Sequence, residues 1–107
     1  NNRKGESLEM NRLGKIALKR GDYDEAERFQ RKALAIDREM NNRKGESQEL
    51  YNLGRIAMQI DDHEEAEALF RDYVRIRIEI GSPLEELFVE NGYTDPEGEW
   101  DFPPEDT

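Results

Sequence analysis

The chain has 107 residues, enough for one small domain, and carries 16 Lys and Arg against 26 Asp and Glu, a net charge of −10. It has no cysteine, so it forms no disulfide and no thiolate metal site, and no apolar run of about 18 residues marks a membrane span. All 16 basic residues lie in 1–80 beside 17 acids, while residues 81–107 hold the other nine acids and no base, so the acidic surplus belongs to the tail and argues against nucleic acid.

In chain order, Met10, Leu13, Ala17 and Leu18 recur at helical spacing and predict a first helix, which Gly21-Asp22 ends. Asp22 is placed to cap a second helix through its side chain, with Asp24 and Glu25 in the dipole-favoured first turn. The apolar face of that helix is Ala26, Phe29, Ala33, Leu34, Ile36 and Met40, and Asn41-Asn42 ends it. A third helix carries Leu50, Leu53, Ala57 and Ile60, turns at Asp61-Asp62, and gives way to a fourth with Ala66, Leu69, Phe70, Tyr73, Val74 and Ile80. Ser82-Pro83 suits the start of a short helix, Pro83–Glu90, with Leu84, Leu87 and Phe88 on its apolar face. Residues 92–107 are acidic and rich in Pro and Gly, which excludes a helix, yet they keep Tyr93, Trp100 and Phe102.

The pattern is an internal repeat. NNRKGES stands at Asn1–Ser7 and again at Asn41–Ser47, an offset of 40 residues that persists at Leu13-Gly14 and Leu53-Gly54, Ile16-Ala17 and Ile56-Ala57, Glu25-Ala26-Glu27 and Glu65-Ala66-Glu67. Gly14 and Gly54 each stand inside a helix, where glycine costs about 1 kcal/mol against alanine, so close helix packing is expected there.

Leu13, Gly14, Ala17, Gly21, Asp22, Tyr23, Ala26, Ala33 and Leu34 together resemble the tetratricopeptide repeat, over residues 1–80. The 40-residue unit is similar to the long-repeat branch of kinesin light chains, Pins-type adaptors and Rap regulators. The resemblance implies an all-α solenoid: repeats at 1–40 and 41–80, a capping helix at 81–91 and an irregular acidic tail at 92–107. Asp61 stands where the family places glycine and Tyr73 where it places alanine; a bulky Tyr73 suits a repeat with no full repeat beyond it.

In this family the first helix of each repeat lines the concave face. The resemblance therefore points to Leu8, Asn11, Arg12, Lys15, Leu18 and Lys19, and to Gln48, Tyr51, Asn52, Arg55, Met58 and Gln59. Four of these twelve are cations and none is an acid, which suits an acidic peptide or a C-terminal carboxylate. The expected peptide contacts are Asn11, Arg12, Lys15, Lys19, Tyr51, Asn52, Arg55 and Met58, with the arginines gripping carboxylates and the asparagines a peptide backbone. The expected function is a protein-binding scaffold in the cytoplasm; a self-assembling repeat and a regulatory piece of a larger protein are the alternatives. A homodimer through the outer face of the first helix or through Tyr73, and docking of the protein's own tail by Trp100 and Phe102, are further partner expectations.

Catalysis is not expected. His63 is the only histidine and reads as a partly packed turn residue, while Ser7, Ser47 and Ser82 read as helix caps. Asp95, Glu97, Glu99 and Asp101 alternate as in a calcium loop but lack its full spacing, so no metal and no cofactor is expected.

Overall fold

The structure, a computed structural model, describes residues 2–81. The expected capping helix and the acidic tail, with Trp100 and Phe102, lie outside the described residues. Four helices of 17 residues follow one another: α1 Arg3–Lys19, α2 Tyr23–Glu39, α3 Arg43–Gln59 and α4 His63–Glu79. Each is joined to the next by three residues, so neighbours run antiparallel, and α3 and α4 begin 40 residues after α1 and α2. The described residues are all-α, two helical hairpins stacked through α2 and α3.

The helix starts belong to asparagine more than to serine. Asn2 accepts the Gly5 N–H at 2.9 Å and Asn42 accepts the Gly45 N–H at 3.2 Å, each satisfying a donor that a helix end leaves open. Asp62 does the same for Glu65 at 3.3 Å. Asp22 occupies the N-cap of α2, but its side chain accepts no capping hydrogen bond, against the sequence expectation. Ser7 and Ser47 are not caps either: both lie inside their helices and are buried, Ser7 at 2 % exposure and Ser47 at 0 %.

The helix ends share one device. The Asp22, Asn42 and Asp62 amides donate back to the carbonyls of Ala17, Asp37 and Ala57 at 2.8–2.9 Å. This geometry requires a left-handed residue just before, supplied by Gly21 at φ 79°, Asn41 at φ 58° and Asp61 at φ 61°. Asp61 thus adopts the conformation that Gly21 supplies in the first repeat, one that glycine takes at lower cost.

Small residues set the helix spacing. Ala26, Ala33 and Ala66 are 0 % exposed, and a Cβ on Gly54 would lie 2.6 Å from Phe70 Cε1. At Gly14 an added Cβ would collide with the Gln30 amide. The core is completed by Leu34, Leu50, Leu53, Ile56, Phe70, Tyr73 and Ile76. Met40, Ile60 and Ile80, expected on the apolar faces, are 38, 52 and 38 % exposed. All three are C-cap residues, where the chain has already turned off the helix axis.

Candidate functional site

Two surfaces carry the chemistry: a polar layer inside the joint between the hairpins, and a cationic stripe on its outer side. In the layer, Ser7 Oγ donates to Asp37 Oδ1 at 2.7 Å and Asn42 Nδ2 donates to the same oxygen at 3.2 Å. Asn11 Nδ2 donates to Glu49 Oε2 at 2.7 Å, and Gln30 Nε2 donates to the Asn11 carbonyl at 3.0 Å. Asn52 Nδ2 closes the set at 3.4 Å from Gln30 Oε1 and 3.5 Å from Asn11 Oδ1. Every one of these side chains except Asn42 is buried, so α2 and α3 meet through hydrogen bonds as well as apolar contact.

Glu49 is the extreme member. It is 1 % exposed, and burial, then a hydrogen bond with Asp37, push its carboxyl up to about 9; the bond from Asn11 opposes this, and the charges of Asp37 and Glu46 add to it. At neutral pH Glu49 therefore keeps its proton, with its Oε1 buried and without a hydrogen-bond partner. Glu46, 5 % exposed, is served by Arg38 Nε at 3.1 Å and Arg43 Nη1 at 2.8 Å. Arg43 also reaches Glu79 at 2.6 Å, as Arg3 reaches Glu39 at 2.7 Å, and both guanidiniums are held above their ordinary range, first by the hydrogen bond to that glutamate. A buried, protonated carboxyl that accepts from Asn11 serves as a packing element of the joint.

The outer stripe follows the helical period. Lys4, Leu8, Lys15 and Lys19 are exposed on α1, and Lys44, Gln48, Arg55 and Gln59 at the equivalent positions of α3. Half-buried Tyr51 and Met58 lie on the same stripe and pack against the core. The Tyr51 ring has Phe70 at 6.2 Å and Tyr73 at 5.3 Å, and the Arg55 guanidinium sits 5.7 Å from its centroid. Among the described residues none of Lys4, Lys15, Lys19, Lys44 and Arg55 forms an ion pair. Arginines on the other faces are mostly matched: Arg28 with Glu25, Arg31 with Glu27, Arg71 with Glu67 and Arg75 with Asp72.

The residues expected from the sequence separate into three groups. Lys15, Lys19 and Arg55 are exposed on the stripe, with Tyr51 and Met58 between core and solvent. Asn11 and Asn52 are 7 and 3 % exposed and are engaged in the polar layer, so they do not face a peptide backbone. Arg12 is exposed but pairs with Glu9; it occupies the position equivalent to Asn52, on the outer face of α1 away from the stripe. Lys4 and Lys44 join the stripe unforeseen, although both lie in the duplicated NNRKGES, one helical turn before Leu8 and Gln48. Tyr73, expected as a dimer contact, is 2 % exposed and offers little surface for one. His63 opens α4 with its side chain exposed, not packed, and lies 3.8 Å from Asp61 Oδ1. Among the described residues no helix is long and apolar enough to cross a membrane, and no three His, Asp or Glu side chains are grouped to hold a metal.

The family model for the tetratricopeptide repeat matches residues 6–79, all four helices bar the first turn of α1. Comparison with curated proteins and with solved structures finds no match.

Proposed function

The chain belongs to the tetratricopeptide repeat family, non-enzymatic scaffolds whose repeats generally mediate protein–protein interaction, and from this we propose that it holds an acidic peptide or protein segment along the exposed stripes of α1 and α3. The observation that carries the reading is the set of five cations that pair with no other described residue, Lys4, Lys15, Lys19, Lys44 and Arg55, on one stripe of a body whose other arginines are mostly matched. Cations unmatched by the helices around them gain most from a carboxylate brought to them. Tyr51 and Met58 add apolar contact between the charges, and Leu8, 59 % exposed, offers more. Asn11 and Asn52 support this surface from beneath by fixing α1 against α3. The 40-residue period favours the long-repeat branch within the family.

The test is fluorescence anisotropy with a labelled Glu/Leu peptide and its Lys/Leu counterpart. The acidic peptide should bind, more weakly as salt rises, and the double variant Lys15→Glu, Arg55→Glu should lose at least about tenfold in affinity. Arg12→Glu should change little. Equal binding of the two peptides, or an unimpaired double variant, would remove the basis for this function.

A further inference from the structure

Both α2 and α4 run antiparallel to α3, so both begin beside its C-terminal end. Among the described residues they pack on α3 but not on one another, which leaves a furrow between them with α3 beneath. Leu53, Ile56 and Ala57 of α3 and Leu69 of α4, all buried, form its floor, with Ile60, 52 % exposed, at the corner where α3 gives way to α4. These α3 positions lie on the other side of that helix from Lys44, Gln48, Arg55 and Gln59, so the furrow and the cationic stripe face different ways. The cavity measures about 230 Å³. That is below the roughly 300–1,000 Å³ of a small-molecule site and suits one aliphatic side chain.

The rim is charged. Arg31 spans the furrow, its Nε 2.9 Å from Glu27 on α2 and its Nη2 3.4 Å from Glu65 on α4. Asp62 adds a third carboxylate, whose Oδ1 accepts the Glu65 amide at 3.3 Å. One guanidinium against three carboxylates leaves the lining with a surplus of two negative charges beside an apolar floor. Residues 82–107 hold nine acids and no Lys or Arg, so the chain's own C-terminal segment has the wrong sign for this rim and no base to balance it.

We propose that the furrow between α2 and α4 docks a basic segment of a partner protein, with one aliphatic side chain seated on Leu53, Ile56 and Leu69 and a neighbouring Lys or Arg set against Glu65 and Asp62. The floor supplies apolar burial and the rim selects the sign of the flanking charge. Sequence on either side of the anchor then matters through its cations alone, because the cavity holds a single side chain. The domain thus presents opposite signs on two sides, a cationic stripe on α1 and α3 and an acidic, apolar-floored furrow between α2 and α4. The two surfaces share no residue, so this docking stands or falls independently of binding on the stripe.

The test is an NMR titration of the full chain with the capped tripeptide Lys-Leu-Lys, with Lys-Ala-Lys as the control. Lys-Leu-Lys should shift the signals of Leu53, Ile56, Ile60 and Leu69 with a Kd of roughly 0.1–1 mM that weakens as salt rises, and Lys-Ala-Lys should bind about tenfold more weakly for want of the anchor. The double variant Asp62→Asn, Glu65→Gln keeps a capping oxygen and removes the surplus charge. With its helix content intact by circular dichroism, it should bind Lys-Leu-Lys about tenfold more weakly, whereas Lys15→Glu, Arg55→Glu should leave that binding unchanged. Shifts centred on the stripe, equal binding of the two tripeptides, or no shift at about 10 mM peptide would overturn the proposal. So would nuclear Overhauser contacts from Leu53 or Leu69 to residues 82–107, or a dimer that the double variant abolishes, since this chain or its copy would then be the occupant.

Discussion

Replacing Glu49 by glutamine isolates the chemistry of the joint. In the unfolded chain the carboxyl ionises at its ordinary 4.5, and in the folded protein at about 9. Below pH 4.5 both states hold the proton, and Glu49 contributes no pH dependence. Between the two values the unfolded state has released the proton while the folded state retains it. The folded state then binds more protons, so stability falls as pH rises, by about 1.4 kcal/mol per pH unit. At pH 7 the loss relative to the acid plateau is roughly 3 kcal/mol, and above pH 9 the slope from this group ends. Glutamine keeps the shape, accepts from Asn11 and donates to Asp37, yet has no proton to lose. Urea unfolding followed by circular dichroism at pH 5, 7 and 9 should show Glu49→Gln close to wild type at pH 5 and increasingly more stable above it, by up to about 3 kcal/mol at pH 7. A difference between the two proteins that is the same at all three pH values would refute the reasoning, because it would mean that Glu49 is not held protonated by the fold.

Gly54→Ala should destabilise the protein by roughly 1–2 kcal/mol in the same assay, since crowding of the new Cβ against Phe70 outweighs the better helix propensity of alanine. Asp61→Gly should stabilise it by about 0.5–1 kcal/mol by relieving a left-handed non-glycine residue, read as a higher urea midpoint. Removing residues 92–107 should raise affinity for an acidic peptide in the anisotropy assay if that segment competes for the stripe; an unchanged affinity would exclude the competition.

The fold was legible because the repeat states it twice. A duplicated heptad, paired glycines at Gly14 and Gly54 and alanines at regular offsets leave few alternatives to stacked helical hairpins. The cations of the stripe were partly legible, since charge can be counted along a helical face. The polar layer was not. Periodicity sorts residues into apolar and polar faces and assigns the polar ones to water, but Gln30, Asp37, Glu49 and Asn52 lie where a helix meets two neighbours at once. Arg12 and Asn52 occupy equivalent positions, yet only Asn52 has a hairpin packed over it, so the same place in the repeat is surface in one unit and interior in the next. Serine near a helix start looked like a cap because nothing in the sequence says that Asn2 and Asn42 already fill that role.

The two kinds of helix contact in this chain have different dependence on solution conditions. Within each hairpin the helices are held chiefly by glycine, alanine and large apolar side chains, with the exposed ion pairs Arg3–Glu39 and Arg43–Glu79 beside them. Between hairpins the contact includes Glu49, a buried carboxyl that keeps its proton at neutral pH. In a repeat array stability divides into the intrinsic term of each unit and the coupling between neighbours, and the coupling term here holds the carboxyl that folding displaces furthest, Glu49. Alkaline conditions should thus loosen cooperativity before they melt the hairpins, and amide hydrogen exchange would detect it as protection lost first at the facing sides of α2 and α3.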